Sequence, residues 1–143
     1  MLKDCQKIFK TDFQEYIICM VDNILIIDDC NQTRSLLKDI LLKTKITKNV
    51  IEADNGIIGL IKAKNQKFDL IIVDHQMPKR SGIDLVIDLI TIKAYKPEEL
   101  VVVSGFLSSE DVSRLINANV KNIFSKPIQI NRFVNLISFN DVN

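Results

Sequence analysis

Repeated βαβ units that close into an open, doubly wound α/β domain follow from two observations. From residue 22 onward, short apolar runs alternate with longer amphipathic stretches. The runs are also continuous and rich in β-branched residues, which suits strands buried on both faces of a parallel sheet. Five strands alternating with five helices then place helices on both sides of the sheet through right-handed crossovers.

The strands are expected at Ile24-Leu25-Ile26-Ile27, Val50-Ile51, Leu70-Ile71-Ile72-Val73, Leu100-Val101-Val102-Val103 and Asn122-Ile123-Phe124. The first helix is expected over Gln32–Lys45, where Leu36, Leu37, Ile40 and Leu41 recur at helical spacing. The others fall near Gly56–Asn65, Ile83–Lys93, Glu110–Ala118 and Gln129–Ser138. Residues 1–20 are read as an N-terminal extension and 21–143 as the domain. In the extension, Phe9, Phe13, Tyr16, Ile17 and Met20 mark an amphipathic helix. A helix packed on the domain, or a start upstream of the true one at Met20, is expected in preference to a docking or dimerisation helix.

With 143 residues, 47% of them hydrophobic, the chain suits one domain with a substantial core. The abundance of Ile, Leu and Val argues against disorder. A formal charge of +1 leaves no basic footprint for nucleic acid. Cys5, Cys19 and Cys30 form no CxxC pair, and His75 is the single histidine, so neither a disulfide framework nor a zinc site is expected. The apolar run Tyr16–Val21 is too short for a membrane span or signal peptide, and a cytoplasmic location with no membrane contact is expected.

Ligands of such sheets bind outside the carboxyl ends of the strands, and in the common strand orders the first and third strands are neighbours. The first strand runs into Asp28-Asp29 and the third into Asp74. Three carboxylates at one edge repel one another, so some are protonated or a cation is present. Oxygen ligands alone favour a hard cation, and the absence of a ligand-rich loop favours Mg²⁺ over Ca²⁺. Ser104 ends the fourth strand and Lys126 follows the fifth. A hydroxyl and an ammonium beside a metal suit a phosphoryl group in transfer, and Asp74, at the centre, is the natural acceptor. Singly, each residue has an ordinary explanation: a strand-end Asp is a turn or cap, Ser104-Gly105 is turn chemistry, and Lys126 is a surface lysine. Their joint occurrence after successive strands is what carries the reading.

Asp28-Asp29, Asp74 within Val73-Asp74-His75-Gln76-Met77-Pro78, Ser81-Gly82, Ser104-Gly105 and Lys126-Pro127 together resemble the response-regulator receiver domains of two-component signalling. The likeness covers roughly residues 22 to 140. It implies a flavodoxin-like fold, with a five-stranded sheet in the order 2-1-3-4-5 flanked by five helices. It implies phosphoryl transfer to Asp74 from a histidine kinase or phosphotransfer protein, and a downstream protein target. By matched position, Asp29, Asp74 and the backbone carbonyl of Gln76 would hold Mg²⁺, with Asp28 acting through water. Lys126 would pair with Asp74 and then with the phosphate, and Ser104 would move to bind the phosphoryl group. Lys126-Pro127 matches the family's cis-proline site. A dimer formed on phosphorylation stays open. The expected role is a protein-contact switch, a single-domain regulator or phosphorelay intermediate, with at most self-phosphorylation from small donors and self-dephosphorylation.

Some positions depart from the family pattern. Ile123 stands where an aromatic switch residue is usual, and Phe124 lies one residue later. Arg80 replaces an apolar residue and is expected to sit in solvent. Gln76 is placed to orient an attacking water and Phe106 to shield a phosphate, while a structural role is expected of His75. Three rival readings fit the sequence less well. A haloacid-dehalogenase-like phosphohydrolase needs an acid where Gln76 stands. A flavodoxin-like cofactor binder would meet repulsion from Asp28 and Asp29. A pseudo-receiver that only binds partners is consistent with Ile123 but leaves the acidic set unexplained.

Overall fold

The computed structural model describes the backbone of residues 5–11, 14–19 and 21–139, and side chains within residues 21–135. In chain order the elements are β1 (Cys5–Thr11), β2 (Gln14–Cys19), β3 (Val21–Ile27), α1 (Asn31–Lys43), β4 (Thr47–Ala53), α2 (Gly56–Asn65), β5 (Leu70–Asp74), α3 (Gly82–Thr91), β6 (Leu100–Ser104), α4 (Ser109–Asn117), β7 (Ile123–Ser125) and α5 (Ile130–Phe139). The five strands β3 to β7 form one sheet in the order β4-β3-β5-β6-β7. Every pairing in it is parallel. Counted from β3, this is the expected 2-1-3-4-5 order.

Strand alternation splits the apolar runs between two layers. Ile24, Ile26, Leu70, Ile72, Val101, Val103 and Phe124 face the side covered by Leu37 and Leu41 of α1 and Phe133 of α5. Leu25, Ile27, Ile71, Val73, Leu100 and Val102 face the side covered by Ala63 of α2, Ile83, Leu85, Val86 and Leu89 of α3, and Leu115 of α4. Burying each Val, Leu, Ile or Phe among them stabilises the fold by about 1.5–3 kcal/mol relative to leaving it in water. A run without polar interruptions is therefore what a strand with two covered faces requires.

Caps fix where the helices begin. Asn55 accepts the backbone N–H groups of Ile57 and Ile58 at the start of α2. Ser81 accepts from Asp84 at the start of α3, and Ser108 and Asp111 form a reciprocal capping box on α4. At the opposite end of the sheet, the buried hydroxyl of Tyr95 accepts from the Phe68 N–H at 3.2 Å and lies 2.9 Å from the Ala63 carbonyl. That contact ties the end of α2 to the approach to β5. The Lys126-Pro127 bond is cis, as the family resemblance implied.

The helix expected over residues 1–20 is corrected by the structure. Cys5–Thr11 and Gln14–Cys19 are antiparallel strands, registered from Cys5↔Cys19 to Thr11↔Gln14. The run Tyr16-Ile17-Ile18-Cys19 is dense in β-branched and aromatic residues, which favour extended backbone. A stripe this short fits either period, so helical spacing did not discriminate. Residues 1–4, 12, 13 and 20, including Phe13 and Met20 of the expected stripe, lie outside the described residues.

Candidate functional site: an acidic pocket closed by a lysine

Four strands deliver the site to one edge of the sheet. β3 stops at Ile27 and is followed by Asp28 and Asp29; β5 ends on Asp74, β6 on Ser104, and β7 runs into Lys126. Because β3 and β5 are hydrogen-bonded neighbours, the three carboxylates converge, and one oxygen from each lies within 4.8 Å of the others. Asp28 and Asp74 are buried at 2% and 3% exposure, whereas Asp29 is exposed.

Lys126 spans the two buried acids. Its Nζ lies 3.2 Å from Asp74 Oδ1 and 3.5 Å from Asp28 Oδ2. Burial alone pulls the ammonium toward neutrality, but Asp28 and then Asp74 outweigh it and hold its pKa above the usual value. Burial, followed by the Asp28 carboxylate, pushes Asp74 up, against the pull of Lys126 and the Gln76 N–H. One ammonium thus faces three carboxylates, and such a set stays short of positive charge. The all-oxygen donors fit a hard divalent cation, Mg²⁺ by the same chemistry that the sequence suggested.

Backbone contacts fix the acids. The Cys30 N–H donates to Asp28 Oδ1 at 2.8 Å, and the Gln76 N–H to Asp74 Oδ1 at 3.3 Å. Arg34, on the first turn of α1, donates to the Asp28 carbonyl at 2.7 Å and pairs with Glu52 at 3.3 Å. Gly82 is forced by a close approach. A Cβ there would lie 2.2 Å from the Asp74 carbonyl oxygen and 2.8 Å from His75 Cα. The start of α3 therefore packs directly on the backbone of Asp74, with the Gly82 N–H donating to the His75 carbonyl at 3.0 Å.

Ser104 is buried, one register step beyond the Asp74↔Val103 pair. Its hydroxyl donates to the Phe106 carbonyl at 2.5 Å and accepts the Phe106 N–H at 3.1 Å, so it is engaged in its own loop rather than with Asp74. Ile123 packs on the α2, α3 and α4 side of the sheet. Phe124 points the other way, edge-on to Phe133 with ring centroids 5.5 Å apart. Strand alternation therefore prevents Phe124 from taking the place of the aromatic residue usual at Ile123. Phe106 is 69% exposed.

Arg80 is corrected from the solvent position expected of it. It is half-buried, pairs with Asp88 of α3, and lays its Cβ and carbonyl against Gly56. His75, expected to be structural, has its Nε2 3.4 Å from Asp111 of α4. The supporting contacts of Arg34, the Cys30 N–H and Gly82 were missed from sequence. Only Gly82 carried a signal, as a glycine opening a helix four residues after a proline.

A parallel sheet in this order, with an acidic pocket and a lysine at its carboxyl edge, defines a class of doubly wound α/β domains with a candidate cation site on the sheet edge. The profile of the family described as "Response regulator receiver domain" matches residues 24–138. The chain is 32% identical over 119 residues to "Chemotaxis protein CheY" of Bacillus subtilis (strain 168), covering 83% of this chain and 97% of that protein. It is also 32% identical over 120 residues to "Chemotaxis protein CheY" of Thermotoga maritima, again covering 83% and 97%. Among solved structures, a CheY-like response regulator receiver domain protein from Methanospirillum hungatei JF-1 superposes with a TM-score of 0.73 at 25% identity, over 82% of this chain and 90% of that one. The chain belongs to the response regulator receiver domain family, and it is a receiver of CheY type. The chain is also 30% identical over 108 residues to "Hybrid signal transduction histidine kinase G" of Dictyostelium discoideum, covering 75% of this chain and 3% of that protein. Among the described residues no helix is long and apolar enough to cross a membrane.

Proposed function

We propose that this receiver, residues 21–143 with 1–20 as an extension, is a phosphorylation-dependent switch in the cytoplasm that accepts a phosphoryl group on Asp74. The observation that carries the reading is Lys126 within 3.5 Å of both buried acids, beside a carboxylate trio built for a divalent cation. An oxygen of Asp74 attacks phosphorus of a partner's phosphohistidine. The new O–P bond replaces the P–N bond, and the imidazole leaves to take up a proton. Asp29, Asp74 and the Gln76 carbonyl are the groups that would hold Mg²⁺, with Asp28 acting through water. Bound there, the cation supplies positive charge to the phosphoryl oxygens.

Lys126 exchanges its contact with Asp74 for one with the phosphoryl oxygens, which keeps its ammonium paired throughout. Ser104 leaves the Phe106 backbone to donate to the same group. That frees the β6–α4 loop, and with Ile123 as the neighbouring core residue the surface around α4 and β7 shifts to a new set of protein contacts. Intact mass after incubation with Mg²⁺ and acetyl phosphate tests this reading. One added phosphoryl group is expected, absent without Mg²⁺ and in Asp74→Asn. No adduct, together with no beryllofluoride binding, would instead establish a pseudo-receiver.

A further inference from the structure

Resting on that reading and extending it, we propose that His75 is a positioning residue. It ties the loop after Asp74 to the first turn of α4 through Asp111, so that a change at the acceptor reaches α4 through space as well as along the chain. The backbone of His75 is fixed from two sides. Its N–H donates to the Val103 carbonyl at 2.9 Å, and its own carbonyl accepts the N–H groups of Gly82 at 3.0 Å and Met77 at 3.2 Å. The residue therefore follows any adjustment of Asp74, β6 or the start of α3.

The ring leaves this anchored backbone toward α4, where Nε2 lies 3.4 Å from Asp111 Oδ2. Both side chains are largely covered, at 15% and 21% exposure. The other ring nitrogen, Nδ1, is buried with no hydrogen-bond partner among the described residues. Asp111 is thus the polar contact that orients the imidazole. Asp111 has a second duty, since the same Oδ2 accepts the Ser108 N–H at 3.0 Å and closes the capping box that starts α4. A displacement of His75 consequently acts on the cap itself.

Beside the apolar packing of Leu115, two other polar links among the described residues join α4 to the site, and neither duplicates this one. The chain from Ser104 through Phe106 is held by the Ser104 hydroxyl, and that hold is lost when Ser104 turns to a phosphoryl oxygen. The Arg114–Asp84 pair at 2.7 Å joins α4 to α3 with side chains 38% and 51% exposed, and pairs so open to water are weak. Of these polar links, the His75–Asp111 contact is the covered one that survives release of the loop.

Amide exchange of the full chain, with and without beryllofluoride and Mg²⁺, tests the tether. In the wild type, beryllofluoride is expected to alter exchange both in residues 74–82 and in residues 105–118. His75→Phe is expected to keep the first response and lose the second, and without ligand to exchange its first α4 turn about tenfold faster. His75→Gln, whose side-chain amide offers Asp111 a polar N–H in place of the ring nitrogen, is expected to restore the α4 response. Asp111→Ser breaks the contact from the other side; it also removes the acceptor of the Ser108 N–H, but leaves the Ser108 hydroxyl to cap the backbone N–H of residue 111. It should show the same loss as His75→Phe, whether or not the Phe variant folds. An α4 response in Asp111→Ser equal to that of the wild type overturns the tether alone, as does a wild-type response confined to residues 74–82. No wild-type response in either segment overturns both the tether and the phosphoacceptor reading.

Discussion

At Asp74 two forces act against ionisation, burial first and the Asp28 carboxylate second, and Lys126 does not fully offset them. The folded-state pKa therefore lies above the ordinary value of 3.8. For a carboxylate raised in this way, the favourable contribution to folding is complete while the group is protonated and is lost as pH rises through the folded pKa. At neutral pH, without a divalent cation, Asp74 is thus a source of instability held in place by the fold. Asp74→Asn is expected to raise thermal stability in EDTA by on the order of 1 kcal/mol, a few degrees in Tm. The gain should be present at pH 7 and vanish toward pH 3, where the wild-type carboxyl is already neutral. Paired melts of the two proteins across that range measure it. A variant less stable than wild type at pH 7 would mean that the Lys126 contact outweighs burial and repulsion.

The junction of β5 with α3 sets the geometry of the site at the scale of elements. Gly82 lets the helix start against the Asp74 carbonyl, and the obstructing atoms are backbone, so no side-chain rotation relieves a clash there. Gly82→Ala is expected to destabilise the protein by about 1–3 kcal/mol, the range for overpacking a tight site. The midpoint of urea unfolding should fall with its slope unchanged. The variant should also bind beryllofluoride more weakly, because the displaced backbone is that of the acceptor. The strands and helices of the main sheet were legible in the sequence because continuous apolar runs have one stable solution, burial on both faces between two helical layers. The acids, Ser104 and Lys126 were legible because each follows a strand whose end must lie on the same edge. The N-terminal hairpin was not legible, since a short run such as Tyr16–Cys19 satisfies either period. Nor were Arg34 and the His75–Asp111 contact, because both depend on which helix face meets which loop in three dimensions.

Charge is distributed unevenly over the whole molecule, and the consequence is a stability linked to cations. A formal charge of +1 conceals a pocket where Asp28, Asp29 and Asp74 confront the single ammonium of Lys126. Folding brings these carboxylates together, while in the unfolded chain Asp74 is far in sequence from the other two. A cation that needs groups brought together from β3 and β5 binds the native state alone. Mg²⁺ is therefore expected to raise Tm, with stability growing by about 1.4 kcal/mol for each tenfold rise in free Mg²⁺ above its dissociation constant. Exposed charges screened by salt would respond to ionic strength in general. NaCl matched in ionic strength should accordingly leave Tm nearly unchanged. Asp29→Asn, which removes the exposed carboxylate and leaves the two buried acids with Lys126, should abolish most of the Mg²⁺ shift while leaving the melt in EDTA close to that of the wild type. Equal Mg²⁺ shifts in the wild type and this variant would show that Asp29 takes no part in holding the ion, and the pocket would then have to be rebuilt around Asp28 and Asp74 alone.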